Sequence, residues 1–424
     1  MSRDISIYVH IPFCERKCLY CDFLSFGSGK DQIDSYFDAL LKEIKTASKK
    51  YKDRVVKSIF FGGGTPSFPE GKKICDTLRA IKAEFEISPQ CEISIEVNPA
   101  SAIYDKLCAF KEAGFNRLSI GAQSLNDDEL KKLGRLHDSR MFFETYENAR
   151  AAGFENINID VMSALPDQSL DSYMETLKKV VDLGPEHISA YSLIVEEGTP
   201  FYDMDLKLPS EEVDRAMYHE TKRYLKEHGY HRYEISNYAR NSDDDAVGSV
   251  NTPTTESSST RTYECIHNKV YWQRGNYLGF GLGAASMLDN VRWDNTRDMH
   301  RYVHLLLSED TKTVTTNGQK GRALLPFEYC IRENLEELSL QSQMEEFMFL
   351  GLRLVRGVDV EEFRQLFSQD ITEVYGDVIE RYVKSGHLEI VSESDPDRYT
   401  NQTCLRLTDA GLDVSNTIMA DFLL

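Results

Sequence analysis

The sequence predicts an α/β fold: an open barrel of six βα units, followed by a smaller, mainly helical module of winged-helix type. Three observations carry that prediction. Short β-branched apolar runs alternate with amphipathic stretches through the first half of the chain. Glycines stand where several of those stretches end. The last part changes to helical periodicity and closes on two extended runs.

The extended runs fall at 5–9, 56–61, 92–97, 117–121, 157–162 and 187–193. Helical patterns at 32–49, 72–85 and 139–153 lie among the segments between them. Gly114, Gly153 and Gly184 each precede a strand, where a helix commonly ends in left-handed backbone. Strands alternating with helices give βα units and a parallel sheet. Six units are fewer than the eight of a closed barrel, so this barrel is expected to have a lateral mouth. A further helix is predicted over 211–228. The stretch 241–262 holds Asp, Ser, Thr, Gly and Pro with almost no large apolar residue, and is expected to form no core. A glycine-rich run, YLGFGLGAA, follows at 277–285. Helices at 343–355, 360–367 and 374–385, with extended runs at 387–391 and 404–407, make the three helices and hairpin of a winged helix. The expected division is a barrel over 1–235, a connecting region over 236–340 and a C-terminal module over 341–424.

The chain has 424 residues, 41% of them hydrophobic, and a formal net charge of −20. Nucleic acid and anionic membrane surfaces both favour basic proteins, so neither is an expected partner. The C-terminal module therefore reads as a structural cap, although winged helices often bind DNA. There is no run of about 18 apolar residues and no charged-then-apolar leader at the start, so no membrane span and a cytoplasmic location are expected. Thiols stay reduced there, and nine cysteines read as metal ligands or packing residues. Cys75, Cys91, Cys108, Cys330 and Cys404 are expected to pack.

The segment HIPFCERKCLYCDF places Cys14, Cys18 and Cys21 on one short loop directly after the first strand. In α/β barrels that is where sites gather. Three thiolates can wrap one face of an iron–sulfur cubane and leave one iron without a protein ligand. The alternative is structural zinc with His10 as fourth ligand, which a strand position and an intervening proline disfavour. The run Gly62, Gly63, Gly64, Thr65, Pro66 follows the second strand, where glycines allow close approach and offer N–H groups. Glu96, Gln123 and Asp160 interrupt or end strands three to five, and buried polar groups at recurring positions point to a shared ligand. A second block carries Cys265, His267, Asn268, Tyr271 and Trp272. His and Cys ligate heme iron, and a buried histidine beside a core tryptophan is the plain alternative.

The C-x3-C-x2-C spacing, with Tyr20 before the last cysteine, resembles the radical SAM superfamily. That resemblance implies a [4Fe–4S] cluster on Cys14, Cys18 and Cys21, with S-adenosylmethionine (SAM) on the open iron. By similarity to coproporphyrinogen-dehydrogenase-like members, Tyr8, Gly63, Gly64, Thr65, Glu96, Gln123, Arg135 and Asp160 contact SAM. HNxxYW, together with YVHIPFCxxKCxYCDF, EVNP and AYSLIVEEGTP, resembles the HemW family of heme chaperones over 5–240 and from 263 onward. This implies heme held by His267, with Cys265 a weaker candidate, and heme passed to heme-requiring acceptor proteins. The cluster and SAM would control oligomerisation or release, and a homodimer stays open. The alternative is an oxygen-independent coproporphyrinogen III oxidase, which decarboxylates propionate side chains by radical chemistry. That relative carries a fourth cysteine two residues after the third, where Asp22 and Phe23 follow Cys21 here. It also has an N-terminal extension, whereas the cluster motif here starts at His10. The stretch 241–262 lengthens a linker that is short in relatives, directly before the heme motif.

Overall fold

The computed structural model describes residues 3–240, 263–308, 331–395 and 400–424. The stretch 241–262 and Cys330 lie outside the described residues. Six βα units open the chain. Their strands are β1 (Asp4–Ile11), β2 (Val55–Gly63), β3 (Glu86–Val97), β4 (Arg117–Gln123), β5 (Ile157–Ser163) and β6 (His187–Ser192). Their helices are α1 (Lys30–Tyr51), α2 (Gly71–Glu84), α3 (Tyr104–Ala113), α4 (Asp127–Lys132), α5 (Ser139–Ala151), α6 (Leu170–Asp182) and α7 (Glu211–Glu227). Each of β1 to β6 pairs in parallel with the next, as the alternation predicts. Gly114 ends α3 at φ 103°, a left-handed conformation that side chains rarely adopt.

The sheet continues past the six units. β7 (Tyr230–Arg232) and β8 (Asn237–Arg240) add antiparallel strands beyond β6. After α8 (Ile266–Trp272), the glycine-rich run supplies β9 (Tyr277–Phe280), which lies parallel to β1. β10 (Ala285–Leu288), β11 (Val291–Asn295) and β12 (Arg332–Glu337) follow, with α9 (Met299–Leu307) between the last two. Among the described residues the result is one twelve-stranded sheet in the order β12-β11-β10-β9-β1-β2-β3-β4-β5-β6-β8-β7. A side chain at Gly279 would fall 2.2 Å from the Ala285 carbonyl, which is why this strand is written in glycine.

Two-residue alternation sorts the barrel strands. Ile5, Ile7, Val9 and Ile11 of β1 join one core cluster with Tyr36, Phe37, Leu40 and Ile44 of α1. The intervening Ser6 accepts from Ser58 on the neighbouring β2, and the Tyr8 ring lies 6.4 Å from that of His267. Polar side chains therefore line the inside, and apolar ones bind the helical coat.

A second core belongs to the C-terminal part, built from α10 (Leu340–Gly351), α11 (Val360–Phe367) and α12 (Ile371–Lys384). With them go the sheet β13 (Val358–Asp359), β15 (Thr400–Leu407), β14 (Leu388–Asp395) and two short helices, α13 (Asp409–Asp413) and α14 (Ser415–Ala420). It is tied to the barrel side by an Arg274–Glu346 ion pair at 3.0 Å and by the Val355 N–H donating to the Tyr233 carbonyl at 2.9 Å. Among the described residues, no helix is long and apolar enough to cross a membrane.

Candidate functional site

The loop after β1 carries the three cysteines and is fastened on both sides. The Cys14 N–H donates to the Phe26 carbonyl and the Phe26 N–H to the Pro12 carbonyl, at 3.1 and 3.0 Å. The Leu19 N–H donates to the Leu133 carbonyl, and the Leu19 carbonyl accepts from the Phe201 N–H. Cys14, Cys18 and Cys21 all line a cavity of about 590 Å³ inside the barrel. Cys14 Sγ lies 3.4 Å from Thr65 Oγ1, and Arg135 Nη1 lies 3.7 Å from Cys18 Sγ. Burial pushes the Cys21 thiol up, and the neighbouring Cys18 and Cys14 add to the rise. His10 is no fourth ligand here. Its Nε2 is bonded to the Leu24 carbonyl at 2.8 Å and its Nδ1 to the Tyr8 hydroxyl at 3.0 Å.

Seven of the eight residues expected to meet SAM line the same cavity: Gly63, Gly64, Thr65, Glu96, Gln123, Arg135 and Asp160. Tyr8 does not, because its hydroxyl is turned to His10 and its ring packs on Phe60. The glycine run corrects one expectation. The Gly64 and Thr65 N–H groups donate to the Ile11 and Phe13 carbonyls at 2.8 and 2.9 Å, so they hold the cysteine loop instead of facing a ligand. A side chain on Gly63, at φ 111°, would fall 2.5 Å from the His10 ring, and one on Gly64 would fall 2.9 Å from the Phe13 carbonyl.

The electrostatics suit a ligand that is both cationic and anionic. Burial raises the Glu96 carboxyl to about 8, with Asp160 adding and the Gly63 N–H opposing. Burial also raises Asp160, against hydrogen bonds from Asn158, Ser189 and Ser119. Neither carboxyl forms an ion pair among the described residues, and Glu96, which has no side-chain donor, leaves acceptor capacity for a bound ammonium. Arg135 donates from Nη2 to the Gly121 carbonyl at 2.6 Å, and its buried Nε has no partner. That orphaned donor suits a carboxylate. Arg135 lies in the turn between α4 and α5 and lines the cavity; it is no solvated helix arginine. Gln123 ends β4 at φ 63°, beside a register shift, and accepts from the Tyr191 hydroxyl at 3.0 Å. Left-handed backbone at a non-glycine residue often marks a site where position outweighs strain. The amino and carboxylate groups of SAM thus have matching partners beside three thiols that a cluster can use.

Sequence reasoning missed Arg117, Ser119, Asn158, His187, Ser189 and Tyr191, which also line the cavity. The signal was present as spacing. These polar residues recur every second position on β4, β5 and β6, on the face opposite Leu118, Ile120, Ile157, Ile159 and Ile188.

At the other end of the barrel, α8 brings in the HNxxYW residues. Glu92 grips its start: one carboxylate oxygen accepts from Cys265 Sγ at 3.4 Å and the His267 N–H at 3.2 Å, the other from the Ile266 N–H at 3.1 Å. Arg117 donates to the Tyr263 carbonyl just before it. His267 is only 2% exposed. Its Nδ1 is bonded to Ser58 Oγ at 2.9 Å and its Nε2 to the Tyr271 hydroxyl at 3.1 Å, and its ring stacks on Phe60 at 5.1 Å. Desolvation drives its pKa down to about 3, so the imidazole is neutral. His267 does not line the cavity, whereas Cys265 and Asn268 of the same segment do. Burial and the Glu92 carboxylate raise the Cys265 thiol to about 12. Trp272, at the far end of α8, lies under the Arg353 guanidinium at 4.3 Å.

Comparison with known proteins agrees with this layout. The family model of the radical SAM superfamily matches residues 8–180, and that of the HemN C-terminal domain matches 338–394. Over 426 residues the chain is 33% identical to heme chaperone HemW of Bacillus subtilis, covering 99% of both chains. It is 31% identical over 428 residues to heme chaperone HemW of Lactococcus lactis, covering 100% of this chain and 98% of that one. The solved structure of coproporphyrinogen III oxidase (HemN) from Escherichia coli superposes with a TM-score of 0.76 at 23% identity, covering 100% of this chain and 90% of that one; it speaks for the fold alone.

Proposed function

Because the chain belongs to the heme chaperone HemW family, within the radical SAM superfamily, we propose that it binds heme and passes it to heme-requiring proteins, with a [4Fe–4S] cluster and SAM held in the barrel cavity. The observation that carries this reading is full-length similarity to two heme chaperones, joined to a cavity whose donors and acceptors fit the proposed cofactors. Cys14, Cys18 and Cys21 would hold the cluster, which when reduced supplies an electron to the sulfonium of SAM. Glu96 would take the ammonium of SAM, Arg135 its carboxylate, and Asp160, Gln123, Gly63, Gly64 and Thr65 would shape the rest of the wall. Gly63 serves by fixing Glu96, and Thr65 by meeting Cys14.

His267 is the heme ligand of this proposal, and its surroundings set a condition. A ring nitrogen must be given up by Tyr271 or Ser58 before it can reach iron. Neutral imidazole is the ligating form, and burial keeps His267 in that form. Cys265, two residues before it, stays the weaker candidate, and iron would have to displace its proton.

An anaerobic hemin titration of cluster-reconstituted protein beside the His267→Ala variant tests the reading. A saturable one-equivalent Soret shift, weakened in the variant, is expected. Equal, unsaturable curves would reject heme handling at His267 and make anaerobic coproporphyrinogen III conversion the next assay.

A further inference from the structure

The floor of the cavity carries a buried charge that the proposed cofactors leave unused. Arg117 begins β4, lines the cavity and is 2% exposed. Its Nη1 donates to Asn156 Oδ1 at 2.9 Å and to the Tyr263 carbonyl at 3.1 Å. Among the described residues its Nε and Nη2 have no acceptor, and it forms no ion pair. The Glu92 and Asp160 carboxylates attract it. Glu92, though, is spent on the start of α8, and Asp160 on Asn158 and Ser119. The neighbouring wall is fully bonded: Tyr233 Oη accepts from the Cys265 N–H at 3.2 Å and meets His187 Nε2 at 2.9 Å, and His187 Nδ1 meets Asn158 Oδ1 at 2.6 Å. Arg117 also lies below the groups assigned to SAM. Along β4, Gly121, whose carbonyl holds Arg135, and Gln123 come about 13 and 20 Å later at 3.3 Å per residue. Glu96, level with Ser119, lies between.

We propose that this floor is a second ligand site, for a small organic carboxylate held on Arg117, on the side of SAM away from the cysteine loop. The Nε and Nη2 edge of a guanidinium presents two parallel N–H donors, the fork that grips both oxygens of a carboxylate. A buried cation without a partner is costly, and a carboxylate offsets that cost. Among the described residues Arg117 is the one cation at this end, because Arg16, Lys17 and Arg135, which also line the cavity, belong to the cysteine loop and the mouth. One charge suits a single carboxylate better than a phosphate or a diacid. Ser119, Asn158, Cys265 and Asn268 surround it with short polar side chains, which suits a small acid. The site gives the chain a small-molecule ligand besides heme and SAM, and it stands whether or not His267 ligates heme.

The test is ligand-observed NMR with 13C-labelled acetate on the full chain, anaerobic, cluster-reconstituted and unreduced. Saturating SAM is present so that the open iron of the cluster is taken. Saturable broadening with a Kd of about 1 mM is expected, as suits a four-atom ligand, and chloride at equal ionic strength should not displace it. Arg117→Lys keeps the charge and loses the fork, so it should raise that Kd about tenfold. Asn268→Phe narrows the floor and leaves both bonds of Arg117 in place; it should weaken acetate and leave the SAM Kd unchanged. If acetate binds only when SAM is left out, it sits on the open iron or in the SAM pocket, and the second site is overturned. Unsaturable broadening, or displacement by chloride, would mean an adventitious ion only and would overturn it too. A folded Arg117→Lys that binds acetate as the parent does removes Arg117 as the anchor. If that variant fails to fold, Asn268→Phe decides, and an unchanged acetate Kd there overturns the proposal.

Discussion

The two ends of this barrel obey opposite rules of polar satisfaction. At the mouth, the Glu96 and Asp160 carboxyls lack ion pairs among the described residues, and Arg135 Nε has no partner. At the floor, Glu92 accepts from three donors, and both nitrogens of His267 are bonded. Buried polar groups are costly when unpaired, so the Glu96 carboxyl and the Arg135 Nε are the groups a bound ligand would complete. The start of α8 is closed by these bonds, so anything that uses His267 must first break one, while Trp272 Nε1 and Arg353 Nε at the far end have no partner among the described residues. Buried polar residues of one barrel thus divide into those with capacity left for a ligand and those closing the structure.

The largest effect expected belongs to the mouth. Replacing Cys14, Cys18 and Cys21 together with alanine should cut bound iron and sulfide to below about a tenth of the parent, since among the described residues no other thiol set lines that end. The thermal midpoint of the cluster-free protein should hardly move. A large drop in midpoint would mean that these thiols are packing residues.

The floor should show the reverse. Glu92→Ala strands three donors at the start of α8 and should lower stability by about 3 kcal/mol in a urea titration. Cluster reconstitution in the folded fraction should persist. Loss of the cluster without loss of stability would erase the distinction between the two ends.

Next in size is a pH effect. Glu96, held near 8, is neutral at pH 6 and becomes a carboxylate as pH passes about 8. Only the carboxylate pairs with an ammonium, and an α-amino group loses its own proton at about 8, so SAM should bind more tightly as pH rises from 6 toward 8 and no more tightly above it. Glu96→Gln should bind SAM weakly and without that slope. The same proton has an opposite effect on the empty protein. The folded state holds it more tightly than an unfolded chain with a pKa of 4.5, so stability is full below 4.5 and falls as pH rises through about 8. Melting curves of the parent should show that fall, and those of Glu96→Gln should not.

How much of this was legible in the sequence follows from the same contrast. The cysteine loop, the six parallel strands and the polar interruptions at Glu96, Gln123 and Asp160 were readable, because each is local: a spacing, an alternation, a polar residue in an apolar run. Arg117, Asn158 and His187 were carried by two-residue spacing but hidden among strands read only for apolar content. The role of Glu92 was not readable. It depends on a helix more than 170 residues away in sequence folding back under β3. The glycine run was read as a ligand cradle, and its N–H groups proved to hold the cysteine loop, a pairing that only the parallel register of β1 and β2 creates. The membership of β9 in the main sheet was missed because glycine in a strand reads as a break unless the close neighbour is known.

The smallest prediction probes where the two rules meet. Tyr271→Phe removes one neutral hydrogen bond from His267 Nε2 and should cost about 1 kcal/mol of stability. The released nitrogen should bind hemin about fivefold more tightly, the same energy read as affinity. Weaker hemin binding would mean that Tyr271 supports the heme site instead of guarding it.

The most direct test of the whole account is transfer itself. Protein loaded with one equivalent of hemin, cluster-reconstituted and anaerobic, is mixed with an apo b-type heme protein, and the acceptor's Soret band is followed in time. The account predicts transfer that outpaces spontaneous hemin dissociation and is lost in His267→Ala. An acceptor that fills only at the rate of free hemin release, whatever the variant and with or without SAM, would contradict it.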